Sequence, residues 1–372
     1  MGGAFIGLSD DATASFSNPA GLAFLSDTAV TIEYRDRTLD ERRAEIEGNF
    51  NTQVFQEGER IRNAAFFSLN FRLGRWYFGL FQYEYLNERQ SREFSSRSFG
   101  QEQSVENRTV SLDLRGNTRG IGVAHRLGDW KVGITFNQLD LEGRTQYERE
   151  TFVRSIPPRI ETYFSSIEDR DEAFGFNLGI LHNPSDTFSW GLVWRDNPGL
   201  ALETQVIETL NQQPFRNELL KVPFRVPDVF GAGILYRPRP FLSFLLDWQR
   251  IFYSQIIDQG FLIVESPATE TKENYAISDI NEIHLGCEWL VAGQQSVWAF
   301  RAGYYRNPVH TVTYSGESDI IDARFQSPGL EDQDHFTVGV GWVFRNRFEV
   351  DVAANMWSEG HEFTASLIWR KK

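Results

Sequence analysis

Hydrophobic and polar residues alternate with a period of two along most of the chain. In the segment from residue 27 to 37, one face carries Val30, Ile32 and Tyr34, and polar residues stand between them. Such alternation predicts a β-strand with one apolar and one polar face. The pattern recurs as far as residues 362–370, and fourteen segments of about ten residues can be marked in this way.

The connections between these segments are alternately short and long. Six are tight turns, at residues 73–75, 127–129, 183–186, 237–240, 291–295 and 345–347. The long polar stretches cover roughly residues 38–60, 88–109, 143–171, 197–226, 257–281 and 306–334, with a shorter one at 356–362. Outer-membrane barrels have short periplasmic turns and long external loops, whereas a soluble sandwich has no reason to place every long loop at one end. We therefore predict an all-β protein, a 14-stranded antiparallel transmembrane β-barrel over residues 27–372.

The composition agrees with a β protein and excludes several other classes. Aromatic residues, which favour strands, make up 14% of the chain. The single cysteine excludes a disulfide scaffold, and no apolar run approaches the ~18 residues of a membrane-spanning helix. A net charge of -14 argues against a nucleic-acid partner. The six histidines show no metal-ligand spacing and no Gly-x-Ser-x-Gly motif accompanies them, so we predict no catalytic site, no metal and no cofactor.

The first 26 residues differ from the rest of the chain. They lack strand alternation and are rich in Gly, Ala and Ser. Asp10 and Asp11 suit the start of a short helix, because carboxylates favour its positive end, and Asn18-Pro19 is expected to stop it. Without a basic start and an apolar core, this stretch is not a signal peptide, and the export signal is expected upstream or already removed. We predict a separate element, residues 1–26, that plugs the barrel.

Three motifs stand out near the N-terminus, at residues 1–5 (MGGAF), 8–14 (LSDDATA) and 18–23 (NPAGLA). They resemble the hatch of the long-chain fatty acid transporter (FadL/TodX) family of outer-membrane proteins. Further similar segments are residues 227–233, 247–250, 285–289 and 301–305, the last followed by Asn307-Pro308. The resemblance spans nearly the whole chain and is weakest from about 88 to 170. It implies these hatch residues: Phe5, Asp10, Asp11, Phe16, Asn18, Pro19 and Ala20.

The resemblance also implies a function in the bacterial outer membrane. Family members are thought to capture a hydrophobic molecule among the external loops, pass it to a lumenal pocket, and release it sideways into the membrane after the hatch shifts. A fatty acid or hydrocarbon is the implied ligand, and outer-membrane lipid surrounds a monomeric barrel. Because burying apolar surface is worth roughly 25 cal/mol per Å², release into the bilayer needs no energy source beyond partition.

Aromatic residues on both faces single out the third predicted strand, residues 76–85. We interpret Tyr77, Gly79, Phe81, Tyr83 and Tyr85 as a ligand path, with a kink at Gly79, where a side chain is missing. In the family a kinked third strand forms the lateral exit. The alternative interpretation is an ordinary aromatic girdle. A slip in the alternation of the fourth strand further predicts a bulge near residues 116–120.

Many positions predicted to face the lumen are ionisable. The candidates that we single out are Arg72, Arg195, Asp247, Glu288 and Arg301. One interpretation is a network of ion pairs that braces the strands around the hatch, because buried charges are normally paired. The other is a carboxylate clamp, in which Arg72, Arg195 or Arg301 holds a fatty acid head group. Sequence alone gives no reason for a charged ligand.

Two other functions fit a barrel with an Asn-Pro-Ala hatch. Similar barrels serve as shuttles or scaffolds in type IX secretion, where they bind a partner protein, and a plain porin is a third possibility. Acidic residues between positions 258 and 282 also raise the possibility of divalent cations that bridge to lipopolysaccharide, although solvated loops are the simpler interpretation.

Overall fold

The computed structural model describes residues 1–25, 28–39, 44–46, 50–54, 59–99, 103–258, 272–316 and 331–371. It is a closed antiparallel β-barrel, which confirms the predicted fold class. The fourteen wall strands are β1 (Thr28–Leu39), β2 (Glu59–Leu73), β3 (Trp76–Phe99), β4 (Gln103–Leu127), β5 (Trp130–Arg154), β6 (Arg159–Ser185), β7 (Phe188–Asp196), β8 (Val229–Arg239), β9 (Leu242–Ile251), β10 (Ile280–Ala292), β11 (Ser296–Asn307), β12 (Gln333–Phe344), β13 (Phe348–Trp357) and β14 (Gly360–Lys371).

Closure is made by the first and last strands. Residues of β1 pair in antiparallel register with β14, from Thr28 opposite Lys371 to Leu39 opposite Gly360. On its other edge β1 pairs with β2. A membrane-spanning sheet needs this closure, because lipid cannot satisfy the amides of an open edge.

The two faces of the wall follow the predicted alternation. In β12, for example, the side chains of Phe336, Val338 and Val340 are 57%, 50% and 41% exposed, and they point away from the lumen. Such an outward apolar band matches the hydrocarbon layer of a membrane. Near the tight turns the wall carries an aromatic girdle that consists of Trp76, Trp130, Trp190, Trp289, Trp298, Trp342 and Trp369.

Three of the predicted long loops are largely strand. Strands β3 to β6 are 24 to 27 residues long and continue through most of residues 88–109 and 143–171. The prediction of loops there is wrong. A sheet whose two faces both meet water shows no alternation of apolar and polar residues, so its sequence looks like that of a loop although its backbone hydrogen bonds are those of a strand. Residues 197–226 also form a hairpin, Gly199–Leu210 with Gln213–Arg225, whose first strand pairs with β6.

Smaller elements complete the described chain. Short strands lie at Ala44–Ile46, Phe50–Val54, Tyr275–Ala276 and Thr313–Tyr314, an α-helical turn at Gln255–Asp258 and a 3₁₀ turn at Lys272–Asn274. None of the helices among the described residues is long and apolar enough to cross a membrane.

Residues 1–25, here called the N-terminal segment, contain an α-helical turn, Ala14–Ser17, and a 3₁₀ helix, Pro19–Phe24. The helix begins three residues after Asp11, whose carboxylate accepts the Thr13 N–H at 2.7 Å. Asn18 caps the 3₁₀ helix by accepting the Ala20 N–H. The predicted boundary between residues 26 and 27 falls outside the described residues.

Candidate lumenal site

Inward-facing glycines let the N-terminal segment lie against the backbone of the barrel wall. Several are paired across neighbouring strands, namely Gly79 with Gly122, Gly133 with Gly179, Gly191 with Gly233, and Gly286 with Gly303. A Cβ at Gly233 would lie 2.8 Å from the Gly7 nitrogen, and one at Gly286 would lie 2.8 Å from the Met1 carbonyl oxygen. Side chains at these positions would therefore collide with the N-terminal segment.

Asp247 on β9 anchors the start of the N-terminal segment. Its Oδ2 accepts the Phe5 N–H at 2.6 Å and the Ile6 N–H at 2.7 Å, and the side chain is fully buried. On β10, His284 Nδ1 lies 2.6 Å from the Gly2 carbonyl oxygen. Hydrogen bonds to a carboxylate are stronger than those between neutral groups, so Asp247 is the main polar anchor.

Asn18 joins the two halves of the N-terminal segment to the wall. Its Nδ2 donates to the Ile6 carbonyl oxygen at 3.0 Å and to the Ile180 carbonyl oxygen of β6 at 3.3 Å. Thr135 of β5 donates its hydroxyl to the Ser15 carbonyl oxygen at 2.8 Å. Pro19 and Ala20, which follow Asn18, are buried against the wall. Asparagine serves here because one side chain supplies both a donor and an acceptor.

A cavity of about 620 Å³, here called the lumenal cavity, lies between the N-terminal segment and the wall. Its apolar side includes Phe5, Leu8 and Phe16 from the segment, and Phe66 and Tyr83 from β2 and β3. The volume is within the usual range of small-molecule sites. The lumenal cavity can therefore hold the body of a hydrophobic molecule.

The opposite side of the lumenal cavity is charged and internally paired. Arg301 Nε lies 2.8 Å from Glu288 Oε2, and Arg301 Nη1 lies 2.5 Å from Asp351 Oδ1. Arg370 pairs with Glu349 in the same wall. The guanidinium groups in this part of the wall are thus paired with carboxylates of nearby strands.

Two carboxyl groups of the N-terminal segment also line the lumenal cavity. Although the Asp10 side chain borders the open space of the lumenal cavity, burial by the surrounding wall and the charge of the neighbouring Asp11 raise the pKa of Asp10 to about 7. Burial likewise raises the pKa of Asp11, against the opposing effect of its hydrogen bonds from Thr13. A carboxyl group with a raised pKa holds its proton in the range where free aspartate is ionised.

The five aromatic and glycine positions predicted as a ligand path do not lie together. Tyr83 lines the lumenal cavity, with its ring centroid 4.6 Å from that of Phe16, and Phe81 packs beside it with Phe66 and Ala12. Tyr77 is covered by Leu22 and Ala23, and Ser15 covers Gly79. Phe66, which lies outside the predicted ligand path, is part of the cavity wall instead.

Tyr85 is separated from the other path residues by a register shift between Glu84 and Leu86. Its hydroxyl donates to the Asp140 carbonyl oxygen at 3.2 Å, and its ring joins a cluster around Leu139, Leu141, Leu200 and Leu202. The irregularity predicted in β4 near residues 116–120 thus lies in β3, opposite Gly116. Gly79 itself pairs regularly with Asn70 and Gly122, without a register shift.

The three arginines considered for a carboxylate clamp occupy different places. Arg72 lies exposed at the tight turn, where its Nε donates to the Gly74 carbonyl oxygen at 2.8 Å. Arg195 donates to the Ser17 carbonyl oxygen at 3.1 Å and to Gln249 at 3.2 Å. Of the three, Arg301 alone lines the lumenal cavity.

The wall is interrupted beside the lumenal cavity. The ladder between β2 and β3 runs from Leu73 opposite Trp76 to Phe66 opposite Tyr83, and in the described residues it does not continue beyond that pair. Residues 59–64 of β2 pair with β1, and a register shift of that ladder lies at the same level. The space between the parted strands, here called the β2–β3 gap, is about 510 Å³ and is lined by Arg60, Ile61, Arg62, Asn63, Glu84, Asn87, Arg89 and Arg115.

The β2–β3 gap lies at the external edge of the apolar band. Phe67 and Leu80 face outward and are 48% and 38% exposed, whereas the next outward residue of β3, Gln82, is polar. A hydrogen bond from Asn63 Nδ2 to Glu84 Oε1 spans the gap. Its base is the pair Phe66 and Tyr83, which also line the lumenal cavity.

The external acidic stretch is partly described. Asp279 accepts the Ser254 N–H at 3.0 Å and an Arg250 N–H at 3.1 Å, and Glu282 Oε2 lies 3.1 Å from His284 Nε2. Two further acids of this stretch, Glu265 and Glu270, lie outside the described residues. Contact with lipopolysaccharide stays a prediction.

Comparison with known proteins identifies the family. A family model described as outer membrane protein transport protein (OMPP1/FadL/TodX) matches residues 1–365. The chain belongs to this family. The resemblance drawn from the sequence and the location in the bacterial outer membrane are thereby confirmed. The OMPP1/FadL/TodX family is one of transport proteins rather than enzymes.

Solved structures with the same fold cover nearly the whole chain. A FadL homologue from Pseudomonas aeruginosa is 13% identical in sequence, with a TM-score of 0.69, and the match covers 98% of this chain and 95% of the homologue. The toluene transporter TodX of P. putida is 14% identical, with a TM-score of 0.60, and the match covers 97% of this chain and 94% of TodX. The toluene transporter TbuX of Ralstonia pickettii is 16% identical, with a TM-score of 0.59, and the match covers 100% of this chain and 96% of TbuX. No curated protein matches the chain in a sequence comparison.

Proposed function

We propose that this protein carries hydrophobic molecules across the outer membrane by binding them in the lumenal cavity and releasing them sideways through the β2–β3 gap. One observation carries the proposal. Phe66 and Tyr83 line the lumenal cavity, and they are also the last residue pair of the β2–β3 ladder before the gap. A molecule that passes these two rings leaves the lumen at the external edge of the apolar band. The toluene transporters of similar fold support a hydrophobic cargo.

Sideways release is physically favourable for such a cargo. An apolar molecule loses roughly 25 cal/mol for each Å² that it exposes to water, so an axial route into the periplasm opposes its movement. The N-terminal segment stands in that route, held by Asp247 and Asn18. We infer that it is the plug, and that a shift of Phe16 away from Tyr83 opens the path to the gap.

Closing the β2–β3 gap tests this route. Asn63→Cys and Glu84→Cys are introduced together with Cys287→Ser, and the two thiols are bridged by a bifunctional methanethiosulfonate reagent that reductant removes. Their native side chains are hydrogen-bonded, so a short bridge can span them. We expect uptake of a radiolabelled long-chain alcohol to fall to the level of cells without the protein, and reductant to restore it.

The matched control is Asn307→Cys with Gln333→Cys, which face each other across an unbroken ladder between β11 and β12. Bridging this pair leaves the wall as it was, so uptake is expected to stay unchanged. Full uptake with the bridged β2–β3 gap, in barrels shown by mass spectrometry to carry the bridge, would exclude this exit.

A further inference from the structure

We propose that the lumenal cavity selects uncharged hydrophobic molecules and rejects those that end in a carboxylate. This inference rests on the proposed function and specifies its cargo. It comes from the balance of charges around the cavity and from the partners that its cations already have.

Carboxyl groups outnumber cationic side chains around the lumenal cavity. The lining includes six carboxyl groups, those of Asp10, Asp11, Glu33, Glu288, Glu349 and Asp351, but two guanidinium groups, those of Arg301 and Arg370. Even with Asp10 and Asp11 protonated, the carboxylates of the wall exceed the guanidinium groups. An incoming carboxylate therefore meets charges of its own sign in a place where the wall limits solvent screening.

Both guanidinium groups that line the cavity are paired with carboxylates. Arg301 lies between Glu288 and Asp351, at 2.8 and 2.5 Å, and Arg370 pairs with Glu349. A fatty acid head group that binds the remaining N–H donors of Arg301 would place a third carboxylate beside Glu288 and Asp351, with no further cation to balance it. Repulsion among the three carboxylates makes the clamp arrangement unfavourable.

The next cation along the wall is also neutralised. Arg35 of β1 lies 3.6 Å from Glu33 and 3.6 Å from Glu362, and its guanidinium carbon is 5.8 Å from the centre of the Tyr83 ring. The apolar rings near the cavity are therefore available to a hydrocarbon body, whereas Arg301, Arg370 and Arg35 are each engaged with carboxylates. Arg195, beside the Phe16 ring, does not line the cavity and donates to the Ser17 carbonyl oxygen and to Gln249. A ligand with an uncharged end group needs no new ion pair to bind there.

The test compares two molecules of equal chain length that differ in their end group. Binding of 1-hexadecanol and of palmitate to the purified full chain in mild detergent is measured at neutral pH by displacement of a fluorescent fatty alcohol. We expect palmitate to bind at least about tenfold more weakly, which corresponds to roughly 1.4 kcal/mol. Equal or tighter binding of palmitate overturns the inference while leaving the proposed function standing. Failure of both to bind a folded barrel overturns the proposed function itself, and with it this inference.

A variant that frees Arg301 provides an independent check. Asp351→Asn removes one of its two carboxylate partners, so the ratio of palmitate affinity to hexadecanol affinity should rise by about tenfold. The matched control is Glu218→Gln, which removes the same charge from the external hairpin, where Glu218 pairs with Arg216 at 3.0 Å. Unchanged selectivity in Asp351→Asn, or an equal change in Glu218→Gln, would show that the charges of the lumenal cavity do not set it.

Discussion

Replacing Asp247 by alanine is expected to detach the N-terminal segment from the barrel without unfolding the barrel. The carboxylate is the acceptor of two backbone donors, the Phe5 and Ile6 N–H groups, at 2.6 and 2.7 Å. Both donors would lose their partner in a place where the carboxylate itself is fully buried. The wall strand is unaffected, because its ladder to β8 and β10 is made by backbone groups.

The size of the effect follows from these two contacts. A hydrogen bond to a charged group contributes about 1.5–3 kcal/mol, so the loss of two weakens docking by roughly 3–6 kcal/mol. Alanine also removes the cost of burying the Asp247 carboxylate, so the net loss of docking free energy should lie at the lower end of that range. A change of about 3 kcal/mol shifts the docking equilibrium roughly 150-fold.

Hydrogen exchange measures this equilibrium directly. Exchange of the Phe5 and Ile6 amides, followed by mass spectrometry of an N-terminal peptide, should accelerate by about two orders of magnitude in Asp247→Ala. Asp247→Asn is the matched control, because the amide oxygen can still accept both N–H groups, and it should lose about 1 kcal/mol. Exchange rates in Asp247→Ala equal to those of the unmodified protein would refute the anchoring role of Asp247.

Three further predictions concern the N-terminal segment and the cavity. Gly233→Val should displace the segment, because a Cβ at this position would lie 2.8 Å from the Gly7 nitrogen, and single-channel conductance should rise. Gly339→Val is the control: its Cβ meets the wall residues Val352 and Ala353, so its conductance should be unchanged. Docking should weaken as pH rises from about 4 to 7, because the pKa of Asp10 lies at about 7 in the docked state against an ordinary 3.8, so the docked state binds more protons in that window. Hydrogen exchange at several pH values should show this dependence. Asp10→Asn should reduce it, and Asp10→Asn with Asp11→Asn should reduce it further, because the pKa of Asp11 is raised as well. Tyr83→Ala should weaken binding of 1-hexadecanol by about 1 kcal/mol through loss of the ring that Tyr83 contributes to the cavity lining, whereas Tyr83→Phe, which keeps the ring, should bind normally in titration calorimetry.

The barrel can be predicted from the sequence because the membrane imposes the alternation of apolar and polar residues on the wall strands. In β12 each outward residue must suit lipid and each inward residue the lumen, so the period of two is unbroken from Phe336 to Phe344. The tight turns are equally visible, since Gly74 and Gly128 adopt positive φ angles that favour glycine. The external parts of β3 to β6 lie beyond this constraint, and their strands could not be distinguished from loops.

The candidate site is less visible in the sequence because it depends on irregular strands. Counting by twos through residues 76–85 places Tyr85 beside Tyr83, but the register shift at Glu84–Leu86 moves it into another cluster. In β2 the neighbours Ala64, Ala65, Phe66 and Phe67 are all apolar, so alternation gives no sign of where the strand bulges. The β2–β3 gap arises from these two shifts together. The pairing of Arg301 with Glu288 and Asp351 is equally a property of strand register.

The most direct test of the central claim is to locate a bound hydrophobic molecule. A long-chain alcohol that carries a diazirine group is added to the purified barrel, activated by light, and its attachment sites are found by peptide mass spectrometry. The account predicts labels on peptides that contain Phe16, Phe66 and Tyr83, and their loss when excess 1-hexadecanol is present. Labels confined to outward residues such as Phe336 and Val338, unaffected by the competitor, would contradict it.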